Sequence, residues 1–393
     1  LEGDFVPYLP NVIPGLLNTT ALQVNASIAS EPESNIDIQS LLSGSSKKVT
    51  ISTADTEDKE LAMNTLLTLI DLLKGAYYPY VEQTTQIVYP LLAYKINENV
   101  RGTAARICAS LVVSIAYSGH PSSREACFAM SHKFLEKLWE VVCEEFDNET
   151  LVKQLDSIKT LVEVQGLEFL TVEEVNVLAE KLIKILEASL IKRNRNQQVL
   201  ADDLEESDSV VQEYNKIEED HLYIAISDVF GALFKTHKSQ SVPTIEFLYK
   251  NVLPKFLLPE ASQEDKKFGL FIVDDLIEHL GEALPSDKLN ELVGLLLKFS
   301  VDSSDSIRQA AVYGLGVFAA SVSGEAFCLW AQQIIEALQK AVSFPVNKSQ
   351  KTHGHAKDNA IAALGRVLQH KSPYIDFQTL TGVWVHLLPL RFD

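Results

Sequence analysis

Residues 306–320 read SIRQAAVYGLGVFAA. Apolar side chains recur there at intervals of three and four, which predicts a helix, yet Gly314 and Gly316 stand in its middle. Each glycine costs a helix roughly 1 kcal/mol against alanine. Ala310, Ala311 and Gly314 share one face, because residues three and four apart lie above one another on a helix. A face of such small residues admits a second helix at close range. The stretch therefore predicts a helix packed hard between neighbours.

Outward from it, helical spacing continues along almost the whole chain, and the alternation expected of strands is nearly absent. The predicted helices come in pairs. First helices run over 5–17, 78–94, 123–145, 172–192, 243–258, 286–299 and 325–342, with partners at 57–74, 98–117, 149–165, 219–237, 263–280, 304–321 and 357–370. A last first helix, from about Ile375, has no partner. Partner helices recur every 41 to 51 residues, roughly, with one interval near 70, the period of helical-hairpin repeats. Pro10, Pro14, Pro90, Pro254 and Pro389 fall where they would bend or end a first helix. Val100-Arg101 and Ile307-Arg308 open partner helices as in HEAT repeats, and Asp302 stands six residues before Arg308, the spacing that would link acid to base between turns. The expected fold is all-α: a HEAT-repeat α-solenoid of about seven antiparallel pairs plus one unpaired helix, stacked over 1–393 into a curved superhelix.

Two insertions interrupt the pattern. Residues 21–56 are rich in Ser, Thr, Asn and Asp and are expected to form a polar loop. Residues 199–220 hold nine acids and one lysine and are expected to form an acidic loop, either simply solvated or facing a partner.

The net charge is -19, from 53 acids against 34 bases, which disfavours direct nucleic-acid binding and favours basic protein partners. Lys192, Arg193 and Arg195 are read as a solvated helix end that complements the helix dipole. Cys108, Cys127, Cys143 and Cys328 show no CxxC spacing and read as buried free thiols of a reducing compartment. No apolar run approaches the ~20 residues of a membrane span, and with Leu1 first and no leader pattern the chain reads as soluble and as a piece of something longer.

Catalytic chemistry finds no constellation, and no cofactor or metal is expected. Tyr313-Gly314-Leu315-Gly316 lacks both the preceding strand and the third glycine of a dinucleotide loop. His353 and His355 lie in a polar linker without further ligands at suitable spacing. Asp274, Asp275 and Glu278 form the densest carboxylate group on a helix and read as a binding surface, with His279 packing beneath. In a helical solenoid the partner helices line the concave face. On the helix 263–280, Phe268, Ile272, Val273, Leu276, Ile277 and Leu280 take the buried flanks, which leaves Asp274 and Glu278 on the remaining stripe. Asp220, Ser227 and Asp228 should face inward from the preceding partner helix, and Asn359 and Arg366 from the last. Asp220, Asp228, Asp274, Glu278 and Asn359 are thus the candidate contacts for a basic partner.

At FGLFIVDDLIEHLG (268–281), IRQAAVYGLGVFA (307–319), KDNAIAALGRVL (357–368) and WVHLLPL (384–390) the chain resembles the importin-β superfamily of nuclear transport receptors, most closely its importin-5 branch. DFVPYLPNVIPGLL at the start and the acidic segment 199–220 fall where that branch would place them. The resemblance implies a C-terminal-half fragment of a monomeric, non-enzymatic receptor that shuttles between cytoplasm and nucleus. It further implies basic cargo such as ribosomal proteins and histones, FG nucleoporins as partners, and release by Ran-GTP through repeats mainly absent here. The rival reading, a HEAT scaffold such as a phosphatase regulatory subunit, expects uniform repeats of about 39 residues with short loops, unlike the uneven loops here.

Overall fold

The computed structural model describes residues 2–22, 26–28, 49–51, 53–167, 169–202, 208–345 and 354–390. These form two compact units, Leu1–Gly166 and Leu167–Asp393. Among the described residues no helix is long and apolar enough to cross a membrane.

In the first unit, α1 (Leu9–Ala21) carries Pro10 in its first turn, where a backbone N–H has no helical acceptor, and it buries Leu9, Ile13, Leu17 and Thr20 along one stripe. Then come α2 (Thr53–Leu73), α3 (Val81–Val88), α4 (Glu98–Ala116), α5 (Ser123–Val141) and α6 (Asn148–Gln165). Tight 3-10 turns that contain Pro79 and Pro90 flank α3 on either side. The partner helices α2, α4 and α6 pack on one another in order. α4 lies between the other two and is buried almost all round, which its small residues Gly102, Ala104, Ala105 and Ala109 permit. Asn97 and Asp147 cap α4 and α6 by accepting from the N–H groups of Val100 and Thr150. Arg101, at the start of α4, donates to both carboxylate oxygens of Glu145 at 2.7 and 2.8 Å and to the Tyr94 carbonyl. That acid–base link joins consecutive inter-helix turns.

In the second unit, α7 (Val172–Asp202) and α8 (Asp208–His237) are followed by a broken first helix. It comprises Val242–Phe247, a π-helical turn at Leu248–Val252, and Leu253–Phe256. Pro254 cannot donate to a carbonyl four residues back and its ring crowds that carbonyl, so a widened turn just ahead of it relieves the conflict. α9 (Gln263–Leu280), α10 (Ser286–Phe299), α11 (Asp305–Ser321), α12 (Ala331–Val342), α13 (His355–Lys371) and α14 (Phe377–Leu387) complete the unit. Here too the partner helices α8, α9, α11 and α13 stack in sequence. α14 has no partner helix among the described residues, as expected.

The helical pairing of the sequence is present in both units, with local corrections. α2 begins at Thr53, and within the stretch 21–56 a short antiparallel ladder pairs β1 (Ala26–Ile28) with β2 (Val49–Ile51), so that stretch is not wholly loop. The acidic stretch 199–220 is mostly helical, since α7 reaches Asp202 and α8 starts at Asp208. Val210, Val211, Tyr214 and Ile217 have helical spacing there, and glutamate is a good helix former. Residues 23–25, 29–48, 52 and 203–207 of these insertions, and His353 of the histidine pair, lie outside the described residues.

Three single-residue expectations also change. Arg308 binds Asp305 of its own turn at 2.8 Å and takes only the backbone carbonyl of Asp302, because Asp305 lies within one helical turn of it. Cys108 and Cys127 are buried, but Cys143 and Cys328 are exposed; all four are free thiols. Arg193 is not a solvated helix end. Its guanidinium reaches the start of α9, 2.9 Å from each carboxylate oxygen of Asp265.

A candidate binding surface on the stacked helices of the second unit

The surface begins with the anchoring of α9. Ser262 and Asp265 form a capping box in which the Ser262 hydroxyl accepts from the Asp265 N–H and the Asp265 carboxylate accepts from the Ser262 N–H. Arg193 closes on that carboxylate from α7, and Glu219 and Tyr223 of α8 complete the group. Burial pushes the Glu219 carboxyl above the usual range, while the Arg193 charge and the Tyr223 hydroxyl oppose the shift. Tyr223, Phe256 and Phe268 pack as an aromatic cluster behind it. The helix carrying the carboxylates is therefore held at its N-terminus by three elements.

One turn of α9 then presents Asp274, Asp275, Glu278 and His279. The structure separates them. Glu278 is exposed and Asp275 and His279 are partly so, but Asp274 is only 5% exposed. Its carboxylate turns toward α11, where a Cβ built on Gly314 would lie 1.9 Å from Oδ1 and 2.9 Å from Leu296 Cδ1. Gly314 thus has no side chain because the Asp274 carboxyl occupies the space. Oδ1 has no hydrogen-bond partner. The expectation that Asp274 lies on an exposed stripe is corrected: Leu270 and Ile277, four residues before it and three after, are buried, and Asp274 shares their side.

Burial, then the charges of Asp275 and Glu278, push the Asp274 carboxyl well above the usual carboxylate range, with Arg366 opposing. Its ordinary value is 3.8. Below that pH both folded and unfolded chains hold the proton. As pH rises, the unfolded chain ionises first, so stability is lost until the folded value is passed. Asp274→Asn abolishes the titration. Its stability relative to the parent should rise as pH increases above about 4, read by urea unfolding across an acid-to-neutral series. Parallel stability curves for the two proteins would refute the assignment.

The other sequence-predicted residues are placed as follows. Asp220 of α8 is about one third exposed and paired with Lys267 of α9 at 2.6 Å. Asp228 is half-buried and already engaged. Asn359 is half-buried and donates to the Gln309 carbonyl at 3.5 Å. Ser227 is buried and donates to the Ile224 carbonyl, so it faces its own helix. All five candidates sit on α8, α9 and α13, successive layers of the stack, with α11 between the last two. Asp275, Glu278 and His279 bring ligand atoms within 4.8 Å of one another, a spacing that could hold a metal ion; Asp275 and His279 are each engaged in contacts of their own. What the residue pattern did not disclose is Tyr313 of α11. Its ring is 38% exposed, and the Arg366 guanidinium of α13 lies over it at 4.7 Å.

Stacked two-helix layers, arginines that open the partner helices and link to acids of the turns, and proline-broken first helices define a HEAT-repeat α-solenoid protein. Residues 150–257 match the family model for importin repeat 6. Over 399 aligned residues the chain is 25% identical to importin subunit beta-3 of Saccharomyces cerevisiae, covering all of this chain and 36% of that protein. The solved structure of Kap121p bound to Nup53p superimposes with a TM-score of 0.74 at 23% identity, covering all of this chain and 36% of that one. Kap121p bound to Pho4p gives 0.73 at 23% identity, covering 99% and 35% respectively. The chain is thus similar over its whole length to a protein of the importin-β (karyopherin) family, and it spans about a third of the length of these relatives.

Proposed function

We propose that this chain acts as part of a karyopherin nuclear transport receptor of the importin-5 type, and that exposed Glu278 of α9, with the partly buried acids around it on α8 and α9, receives lysine-rich or arginine-rich segments of cargo. The observation that carries this reading is the likeness to importin subunit beta-3, which extends over the whole chain. The acidity of the chain supports it, since a net charge of -19 draws basic partners and speeds their encounter. Kap121p has been solved with Nup53p and with Pho4p, which supports nucleoporins and cargo proteins as the partner classes. Basic ribosomal proteins or histones as cargo, FG nucleoporins, Ran-GTP as the releasing partner, and shuttling between cytoplasm and nucleus follow from the same reading. The receptor is not an enzyme and acts as a monomer.

With Asp274 turned into the interior, the contact set is Glu278 and Asp275 of α9, Asp228 and Asp220 of α8, and the Asn359 amide. Single exposed pairs contribute about 0–1 kcal/mol, so affinity must come from several acting together. Glu278→Lys with Asp228→Lys should weaken binding of a basic peptide severalfold at low salt, and the loss should shrink as salt rises. Reversal of the exposed Glu173 and Glu180 on α7 should matter much less. Equal losses from both pairs would reduce the surface to nonspecific charge. Capture of basic nuclear proteins on this chain, with and without Ran-GTP, tests the wider reading; no capture would remove this segment from cargo binding.

A further inference from the structure

Arg366 is the cation that acts on Asp274, and it arrives from two layers away. It belongs to α13, whereas Asp274 and Glu278 belong to α9, with α11 between them. Its path is built into α11. A Cβ on Gly316 would come within 2.9 Å of Ala363 Cβ and 3.3 Å of Arg366 Cδ, so the missing side chain lets α13 approach closely and leaves room for the arginine stem to cross. Beyond Gly316 the guanidinium lies over the Tyr313 ring at 4.7 Å. Tyr313 in turn feels the charges of Glu278, Arg366 and Asp274 together. Glu278 and Tyr313 are both exposed. One arginine of the chain thus already occupies the Tyr313 face, next to Gly314, against which the α9 carboxylate Asp274 packs.

We propose that Arg366 is an internal competitor that occupies the position of a basic partner's side chain on Tyr313 beside Glu278, and so sets the affinity threshold of this surface. The inference rests on the reading of this face as the surface for basic partners. An arriving guanidinium gains the Tyr313 face and the Glu278 carboxylate only by displacing Arg366, which then swings into solvent on its own long stem. Partners with a single basic residue exchange like for like and gain little. Arginine-rich segments gain, because their remaining charges reach Asp275 and the acids of α8 while one side chain makes the exchange.

The test uses the full chain and a fluorescein-labelled arginine-rich peptide at low salt. Arg366→Met keeps the stem that packs over α11 and removes the charge. It should strengthen peptide binding by about threefold to tenfold, the range of a cation–π contact together with a partly exposed charge. The control is Lys288→Met on α10, which removes the same charge from a cation lying over an aromatic ring, Tyr249 at 4.0 Å. It should change affinity less than twofold, roughly, because its charge is taken up by Glu291 of its own helix at 3.4 Å. Should Arg366→Met lower the melting temperature, Arg366→Gln carries the same expectation with a polar end. An effect no greater than that of Lys288→Met overturns the competitor role. A Glu278→Lys protein that binds as tightly as the parent overturns the underlying reading of the surface, whatever Arg366→Met does.

Discussion

Alanine at Gly75 is expected to destabilise the first unit by about 3 kcal/mol, the upper end of what overpacking costs. The added Cβ would stand 2.1 Å from the Tyr117 carbonyl oxygen, 2.6 Å from its carbon and 3.0 Å from Ser118 Cα. All three are backbone atoms at the end of α4, and that backbone is held in place. The Tyr117 N–H donates to Val113, Ser118 N–H to Ile115, and the Ser114 hydroxyl to the Lys74 carbonyl beside the glycine. No side chain can rotate away to make room. Gly294, in the middle of α10 with nothing within 4 Å of its would-be Cβ, provides the comparison. Alanine there should stabilise by about 0.5–1 kcal/mol through helix propensity alone. Urea or thermal unfolding of both variants checks the pair. A Gly75→Ala protein within about 0.5 kcal/mol of the parent, the range of an ordinary surface change, would show that the close approach at α4 does not exist.

Arg193→Met should cost the second unit on the order of 3–5 kcal/mol, the usual penalty for removing one member of a largely buried ion pair. The side chains of Arg193 and Asp265 are 17% and 11% exposed, so water repays part of the loss and the lower end of that range is expected. The damage comes from what remains. Asp265 and Glu219 would face each other with no cation between them, and Glu219 is already pushed upward by burial. Pairing Arg193→Met with Asp265→Asn, which keeps an acceptor for the Ser262 N–H, should therefore cost less than the sum of the two single changes. Strict additivity in a double-mutant cycle would mean that the two side chains do not interact. Because Arg193 ties α7 to the start of α9, the single variant should also speed hydrogen exchange in the first turns of α9 before it affects α13.

Periodicity and residue size settled most of the architecture from the residues alone. Apolar spacing located the helical pairs of the described residues, and the small residues around Gly314 marked a partner helix in close contact on both sides, as the proximity of Gly314 to Asp274 and of Gly316 to Ala363 now accounts for. These are local properties: a helix needs only its own face pattern to declare itself, and its neighbour needs only room. Arg101 and Glu145, forty-four residues apart, also followed the turn chemistry of the repeat, although their meeting required the stack. Which side of a helix a polar residue takes was a different matter. Asp274 and Glu278 are one turn apart and look equivalent in sequence, yet one is buried against Gly314 and Leu296 while the other is exposed. The close approach of α11 decides between them, since the space at its Gly314 takes the Asp274 carboxyl. Arg193 meeting Asp265, and Arg366 crossing Gly316 to reach Tyr313, join residues of different layers in the same way. Their energies depend on desolvation and on distances that exist only once the layers are stacked, and no local pattern in the chain encodes them.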